Sequence, residues 1–322
     1  MSEGASPRIA IVDVARGGAL VAMIVYHFAW DLSFLGFVRT DVGSDPAWRA
    51  FAMSIAGSFL FITGFGLVLA HDAGQSWTGW LRRIGKIGLA AALVTVATYA
   101  AFPDGFVYFG ILHMIAAGAV LALPFLRAPP ALTAGVAAIV LVTPHFVSSS
   151  AFDSRWLAWT GFAQTPPATV DFEPVFPWFA PVLLGVAAAR LALDGGWRPR
   201  LASWRSEAAP ARLLDAMGRR SLLVYLAHQP ILLAVLYPLS LALPVSTAGF
   251  VAACTVNCAA SGTDRALCES ACICVAERAP DEGLGRLLVE SDATPDEQSR
   301  LAEIGNQCLR DVLTPDPVAP NE

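Results

Sequence analysis

Apolar residues gather in this chain into seven segments, at 17–37, 51–70, 87–102, 106–126, 131–147, 175–193 and 221–243. A helix needs about 17–25 such residues to cross the hydrocarbon core of a bilayer, and most of these segments have them. Inside a bilayer every backbone N–H and C=O must be satisfied within the protein, so repeated runs of this length leave a helical bundle as the expected fold. The residue balance agrees: 56% of the chain is hydrophobic, 15% is charged, and mean hydropathy is +0.57. The expectation is an all-α polytopic membrane protein, a bundle of about seven transmembrane helices. The segment at 87–102 is the shortest, and Pro103-Asp104-Gly105 after it leaves room only for a tight turn, so it pairs with the next as a hairpin. Asp13, Arg16, His27 and Asp31 punctuate the first segment and no small-residue cleavage site follows, so a span rather than a removable leader is expected.

Lysine and arginine set the expected orientation. With the N-terminus in the cytoplasm, thirteen of them fall inside (Arg8, Arg16; Arg82, Arg83, Lys86; Arg127; Arg190 and six more arginines up to Arg220) and three outside (Arg39, Arg49, Arg155). The positive-inside rule then gives a cytoplasmic N-terminus, and an odd number of spans puts everything after residue 243 on the far side. The expected location is a bacterial inner (plasma) membrane with a periplasmic tail.

That tail differs in kind from the rest. All six cysteines lie in it, at Cys254, Cys258, Cys268, Cys272, Cys274 and Cys308, which suits an oxidising compartment. Cys254-x3-Cys258 and Cys268-x3-Cys272 each place two thiols one turn apart on a helix face, with a turn at Ser261-Gly262-Thr263-Asp264 between them. Two antiparallel helices joined by Cys254–Cys272 and Cys258–Cys268 satisfy that geometry and leave Cys274 for Cys308; six cysteines allow about 15 pairings, and this is one of them. Metal binding is the competing reading, though no histidine accompanies these cysteines, and no metal is expected. A further helix begins at Thr294 as N-cap, with Pro295 in its first turn and Glu297 three residues after the cap. The tail carries 13 Asp/Glu against 5 Lys/Arg from Cys254 onward, which argues against nucleic acid or anionic lipid headgroups as its partner. The expected organisation is a membrane domain at 1–245, a disulfide-stapled helical tail at 250–313 and a disordered terminus at 314–322.

Three histidines interrupt apolar segments. His27 stands near the middle of the first, with Asp31 one helical turn later on the same face. An ionisable group at the centre of a membrane helix is costly, roughly 2.5–3.5 kcal/mol for a charged residue on insertion scales, and calls for a function. His113 follows Tyr108-Phe109-Gly110-Ile111-Leu112, and His228 follows Tyr225-Leu226-Ala227, with Gln229 next to it. The bland reading is a neutral histidine bonded to a neighbouring helix, and for His228 that structural role has equal weight. His27, Asp31, His113 and His228 form the candidate catalytic set. Arg16, Arg82, Arg83, Lys86 and Arg190 are the candidate holders of the phosphates of a nucleotide-bearing donor, against a null of topology alone. No Gly-rich phosphate loop is present, since Gly64-Phe65-Gly66 lies within a span and reads as a close-packing site. At the outer end of the sixth segment, Asp171, Glu173 and Trp178, taken with Trp30, form a candidate rim for a polar acceptor. His71 and His145 lie near span ends and are assigned nothing.

In order along the chain, Asp13-x-x-Arg16-Gly17, Tyr26-His27-Phe28-Ala29-Trp30-Asp31, Tyr108-Phe109-Gly110-Ile111-Leu112-His113, Phe176-Pro177-Trp178-Phe179 and the run from Gly218 to Pro230 carry a resemblance. Over about 8–243 the chain resembles the bacterial relatives of the heparan-α-glucosaminide N-acetyltransferase catalytic domain, within the wider transmembrane acyltransferase group. The resemblance implies a helical bundle that takes an acyl group from cytoplasmic acetyl-CoA and delivers it to a sugar or other small-molecule acceptor on the far side. It also implies that His27, in its His-x-x-Trp context, is the catalytic histidine. The cysteine-bearing tail lies outside the shared region, and the glycosaminoglycan substrate of the named enzyme is not carried over. Acyl transfer from a thioester needs a base for the incoming amine or hydroxyl, or a nucleophile to carry the acyl group. His27 oriented by Asp31 suits either task, and His113 or His228 could polarise the carbonyl or relay a proton. The rival readings are a proton-coupled transporter with an intramembrane histidine relay and a b-type membrane cytochrome with paired histidine ligands.

Overall fold

The structure, a computed structural model, describes residues 9–35, 37–38, 40, 42–101, 103–205, 207–242, 247–260, 262–288 and 293–313. The expectation of a disordered terminus at 314–322 lies outside them. The described residues form helices and no strands: α1 Ala10–Phe34, α2 Pro46–Asp72, α3 Trp77–Ala101, α4 Ile111–Leu121, α5 Pro130–Val142, α6 Arg155–Ala158, α7 Val175–Asp194, α8 Arg198–Ser203, α9 Ala209–Arg219, α10 Ser221–Ala242, α11 Ala248–Ala260, α12 Arg265–Asp281 and α13 Pro295–Leu313. The chain is an all-α polytopic membrane protein. Five helices (α1, α2, α3, α7 and α10) are long and apolar enough to cross a bilayer. On α3 and α10, Leu89, Val96, Leu223, Ile231 and Val235 stay more than 60% exposed, as side chains facing lipid do.

The other two of the seven expected spans are short. α4 has 11 residues and α5 has 13, which at 1.5 Å per residue is about 16 and 20 Å against a core of about 30 Å. The apolar run 106–126 loses its first turns because 105–110 is extended and bonded to its neighbours. Val107 is pinned to α3 by Thr95 Oγ1, which donates to its carbonyl (2.7 Å), and by Thr98 Oγ1, which accepts from its N–H (3.0 Å). Val170 N–H donates to Gly105 O (2.9 Å) and Glu173 N–H to Phe109 O (3.1 Å), so this irregular backbone is satisfied within the protein.

The chain divides into two compact units, Met1–Val25 with Ala50–His228 and Tyr26–Arg49 with Gln229–Glu322. In the first unit the core gathers around α7, with Val182, Leu183 and Val186 fully buried alongside Leu60 and Met114. Glycines set how closely the helices approach. A Cβ on Gly64 would stand 1.9 Å from Val182 O, and one on Gly185 would stand 2.0 Å from Phe61 O, so α2 and α7 cross backbone to backbone. Gly17 and Gly218 do the same for α1 and α9, against Leu214 O (2.0 Å) and Asp13 O (1.8 Å). That second crossing carries Arg219 to the start of α1.

The second unit contains the tail. Disulfides join Cys254 to Cys272, Cys258 to Cys268 and Cys274 to Cys308, stapling α11 to α12 and α12 to α13. Asp264 caps α12 by accepting from Ala266 N–H (2.9 Å) and Leu267 N–H (3.2 Å). Thr294 and Glu297 cap α13 reciprocally: Thr294 N–H donates to Glu297 Oε2 (2.9 Å) and Glu297 N–H to Thr294 Oγ1 (3.4 Å). Val275, Ala279, Leu284, Leu287, Leu288 and Ile304 fill a small core that the staples enclose.

Candidate active site

A cavity of about 790 Å³ opens in the first unit, within the size range of small-molecule sites. Its lining comes from α1, α2, α3, α4 and α8–α10, and the crossing at Gly17 and Gly218 brings the backbones of α1 and α9 together there. Cations dominate one part of the wall: Arg16, Arg82, Arg83, Lys86, Arg198 and Arg219. Asp13 is the acidic residue in the lining, and its Oδ1 accepts from Arg16 Nη1 at 2.7 Å. Arg198 and Arg219 pair with Asp72 and Asp215, and Arg83 lies within electrostatic reach of Arg16 and Asp13. The rest of the wall is apolar, with Leu20, Phe59, Ile87, Leu112 and Ile115, and Tyr225 stands among them. Four of the five expected phosphate-binding residues thus meet in one cavity. The fifth, Arg190, does not line it; its guanidinium donates to the carbonyl of Leu126. Arg198 and Arg219 were read from the sequence only as topology markers. The run Gly218-Arg219-Arg220-Ser221 before an apolar helix was the available clue to the second.

At the N-terminal ends of α4 and α7 stands a carboxyl pair. Asp171 Oδ2 accepts from Ile111 N–H (3.1 Å), capping α4, and the approach requires glycine at 110 because a Cβ there would lie 2.0 Å from that oxygen. Glu173 Oε2 is buried without a hydrogen-bond partner among the described residues, and so is the Tyr108 hydroxyl, whose ring lies 5.5 Å from that of Phe172. Burial, with the Asp171 carboxyl beside it, pushes the Glu173 carboxyl well above the usual glutamate range. Trp178 packs against the core of α7 behind this loop.

The histidines differ in their surroundings. His113 Nδ1 accepts from Gly110 N–H (3.3 Å), and its Nε2 meets Thr95 Oγ1 (3.3 Å), whose own hydrogen goes to Val107 O. Those partners fix a neutral ring protonated at Nε2 with both nitrogens occupied, an arrangement poorly suited to a proton relay or a haem ligand. His228 Nδ1 faces Tyr225 O, which places its proton on Nδ1 and its lone pair on Nε2. His27, Trp30 and Asp31 belong to the second unit. The His27 ring packs edge-on against Tyr26 (5.6 Å), and Trp30 stacks on Phe34 (5.0 Å). Asp31 is fully buried and its Oδ1 accepts from Gln229 Nε2 at 2.6 Å. Gln229 was named in the sequence only as a neighbour of His228.

A helical bundle with long apolar helices, a basic cavity and buried carboxyls defines a polytopic membrane protein with an internal site for a small molecule. Residues 8–230 match the family described as heparan-alpha-glucosaminide N-acetyltransferase, catalytic, and since this is more than half of the chain, the chain belongs to that family. The family's reaction is acetyl transfer, which makes the chain a transferase of the membrane. No curated protein and no solved structure matches the chain.

Proposed function

We propose that this protein transfers an acetyl group from cytoplasmic acetyl-CoA to a glycan or small-molecule acceptor on the far side of a bacterial inner membrane. The observation that carries the reading is the cavity that unites Arg16, Arg82, Arg83 and Lys86 with an apolar wall. Phosphates need clustered, charge-assisted donors, and a pantetheine arm needs an apolar channel. The cavity offers both in one volume. Its cations come from the segments that the arginine bias assigns to the cytoplasm.

His27 is the proposed base, Asp31 follows it by one helical turn and accepts from Gln229 Nε2, and Trp30 completes the motif. The acceptor's hydroxyl or amine is proposed to meet Asp171, Glu173 and Trp178 at the outer rim. There, a buried donor (Tyr108 OH) and a buried acceptor (Glu173 Oε2) each lack a hydrogen-bond partner among the described residues. A sugar hydroxyl, which donates and accepts at once, would satisfy both. His113 serves in this scheme as a strut for 105–110, and His228 holds its Nε2 lone pair next in sequence to Gln229.

The test is transfer of label from acetyl-CoA by purified protein in bilayer discs, offered whole periplasmic glycan extract. Wild type should acylate a component of the extract, and His27→Ala should lose at least ~100-fold in turnover while still binding acetyl-CoA. Wild-type protein that binds no acetyl-CoA would overturn the donor assignment, and His27→Ala protein with normal turnover would return the base to His228.

A further inference from the structure

Leu112 and Ile115 line the donor cavity from α4, and Tyr225 lines it from α10, one turn beyond Ser221 in the same lining. Leu112 follows Ile111, whose N–H is the one Asp171 caps. The first turn of α4 therefore has the donor cavity on one side and the outer carboxyl pair on the other. Tyr225 and Ile115 pack on the cluster of Ala90, Ala91 and Leu112, while the carboxyls of both Asp171 and Glu173 lie within electrostatic reach of the Tyr225 hydroxyl. The side chains of Leu112 and Ile115 carry no polar atom, so in this apolar stretch of the lining the phenol is the polar group. Its backbone carbonyl is held by His228 Nδ1 and its ring lies 5.7 Å from the His228 ring, which fixes the tyrosine from behind.

We propose that Tyr225 is a catalytic residue of the acetyl transfer: its hydroxyl donates a hydrogen bond to the carbonyl oxygen of the thioester where the apolar wall of the cavity receives it. This rests on the donor reading above. The acceptor's oxygen or nitrogen bonds to the carbonyl carbon, and the carbonyl π pair moves onto oxygen. Tyr225 O–H stabilises that oxyanion by hydrogen bonding and keeps its own proton. The C–S bond then breaks as the carbonyl re-forms. The proton lost by the acceptor is taken by the base and returned to the departing sulfur, so the products are an acetylated acceptor and free CoA thiol. A donor aimed where charge develops acts in the transition state far more than in the ground state, so its loss falls on turnover rather than on binding.

The experiment compares wild type with Tyr225→Phe, which keeps the ring and its packing, in bilayer discs. Acetyl-CoA affinity is read by calorimetry and transfer by release of CoA thiol in the presence of the acylated component of the glycan extract. Tyr225→Phe should bind acetyl-CoA within about 2-fold of wild type, keep KM, and lose about 100- to 1,000-fold in kcat. Unchanged kcat in Tyr225→Phe beside an active wild type overturns the role of Tyr225 and leaves the donor reading intact. A fall in donor affinity with kcat preserved makes the residue a wall of the cavity and also overturns it. A wild type inert toward acetyl-CoA removes the donor reading itself, and the inference with it.

Discussion

Replacing Arg83 by Gln tests the donor cavity most directly, because the side chain is half-buried in α3 and lines the cavity beside Arg16 and Asp13. A hydrogen bond from a charged donor contributes about 1.5–3 kcal/mol net, and each 1.4 kcal/mol is about tenfold in affinity. Arg83→Gln should therefore weaken acetyl-CoA binding by about 10- to 150-fold. Arg83→Lys keeps the charge and loses the planar fork, so its loss should fall between wild type and Gln. The effect should shrink as salt is raised, since part of it is screened Coulomb attraction. The assay is calorimetry of the detergent-solubilised protein with acetyl-CoA and, in parallel, with acetyl-pantetheine, which carries the thioester but no nucleotide. Arg83→Gln should leave binding of acetyl-pantetheine where it is in wild type. Equal weakening of both ligands would mean that Arg83 shapes the cavity rather than meeting phosphate. Unchanged affinity for acetyl-CoA would remove Arg83 from the site altogether.

Burial raises the Glu173 carboxyl, so between the usual glutamate range and that raised value the folded protein binds a proton that the unfolded chain releases; stability should fall as pH rises through that window, and Glu173→Gln should flatten the slope in thermal melts. The tail's cysteines should resist alkylation until the protein is reduced, and Cys274→Ser with Cys308→Ser should lower the tail's stability by about 2–4 kcal/mol, read by denaturant titration of tail-localised fluorescence. Gly64→Leu places carbon atoms against Val182 O, where even a Cβ would stand at 1.9 Å, and should cost at least about 1–3 kcal/mol, seen as a lower melting temperature in detergent; an unchanged melt would mean that α2 and α7 do not cross there.

Much of this architecture is written in local pattern. The long apolar runs become α1, α2, α3, α7 and α10, and the Cys-x3-Cys spacings coincide with the stapled α11–α12 pair, because both features depend on residues close in sequence. The capping of α13 by Thr294 and Glu297 is local in the same sense. The short α4 was not legible, because its apolar residues continue back to Phe106. What stops the helix is pairing with 170–173, some 60 residues away. The site divides along the same line. Arg82, Arg83 and Lys86 lie close together on α3, but Arg16, Arg198 and Arg219 join them only in the tertiary structure, from α1, α8 and α9. Arg190 has the same composition and a similar span-end position, and its guanidinium instead meets Leu126 O. Nothing in a span-end arginine announces whether it will face a cavity or a helix terminus.

The short helices bear on the proposed sidedness in a way that a count of spans conceals. If α4 and α5 both cross, the chain has seven spans; if they stop short together, it has the five long ones. Both numbers are odd, so the two ends of the membrane domain lie on opposite faces in either case. Only a crossing by one of the pair would return the tail to the side of Arg16, Arg82 and Lys86. The disulfides of the tail weigh against that outcome, since three bonded pairs persist in an oxidising compartment and not beside a cytoplasmic thiol pool. A fusion after Glu322 should therefore be active as alkaline phosphatase and dark as green fluorescent protein, and one at Arg205, in the segment that follows α8, should give the reverse. A fluorescent Glu322 fusion would mean that one short helix crosses alone. That arrangement would put the basic cavity and the cysteine staples on one side of the membrane, and the proposed passage of an acetyl group across the bundle would lose its direction.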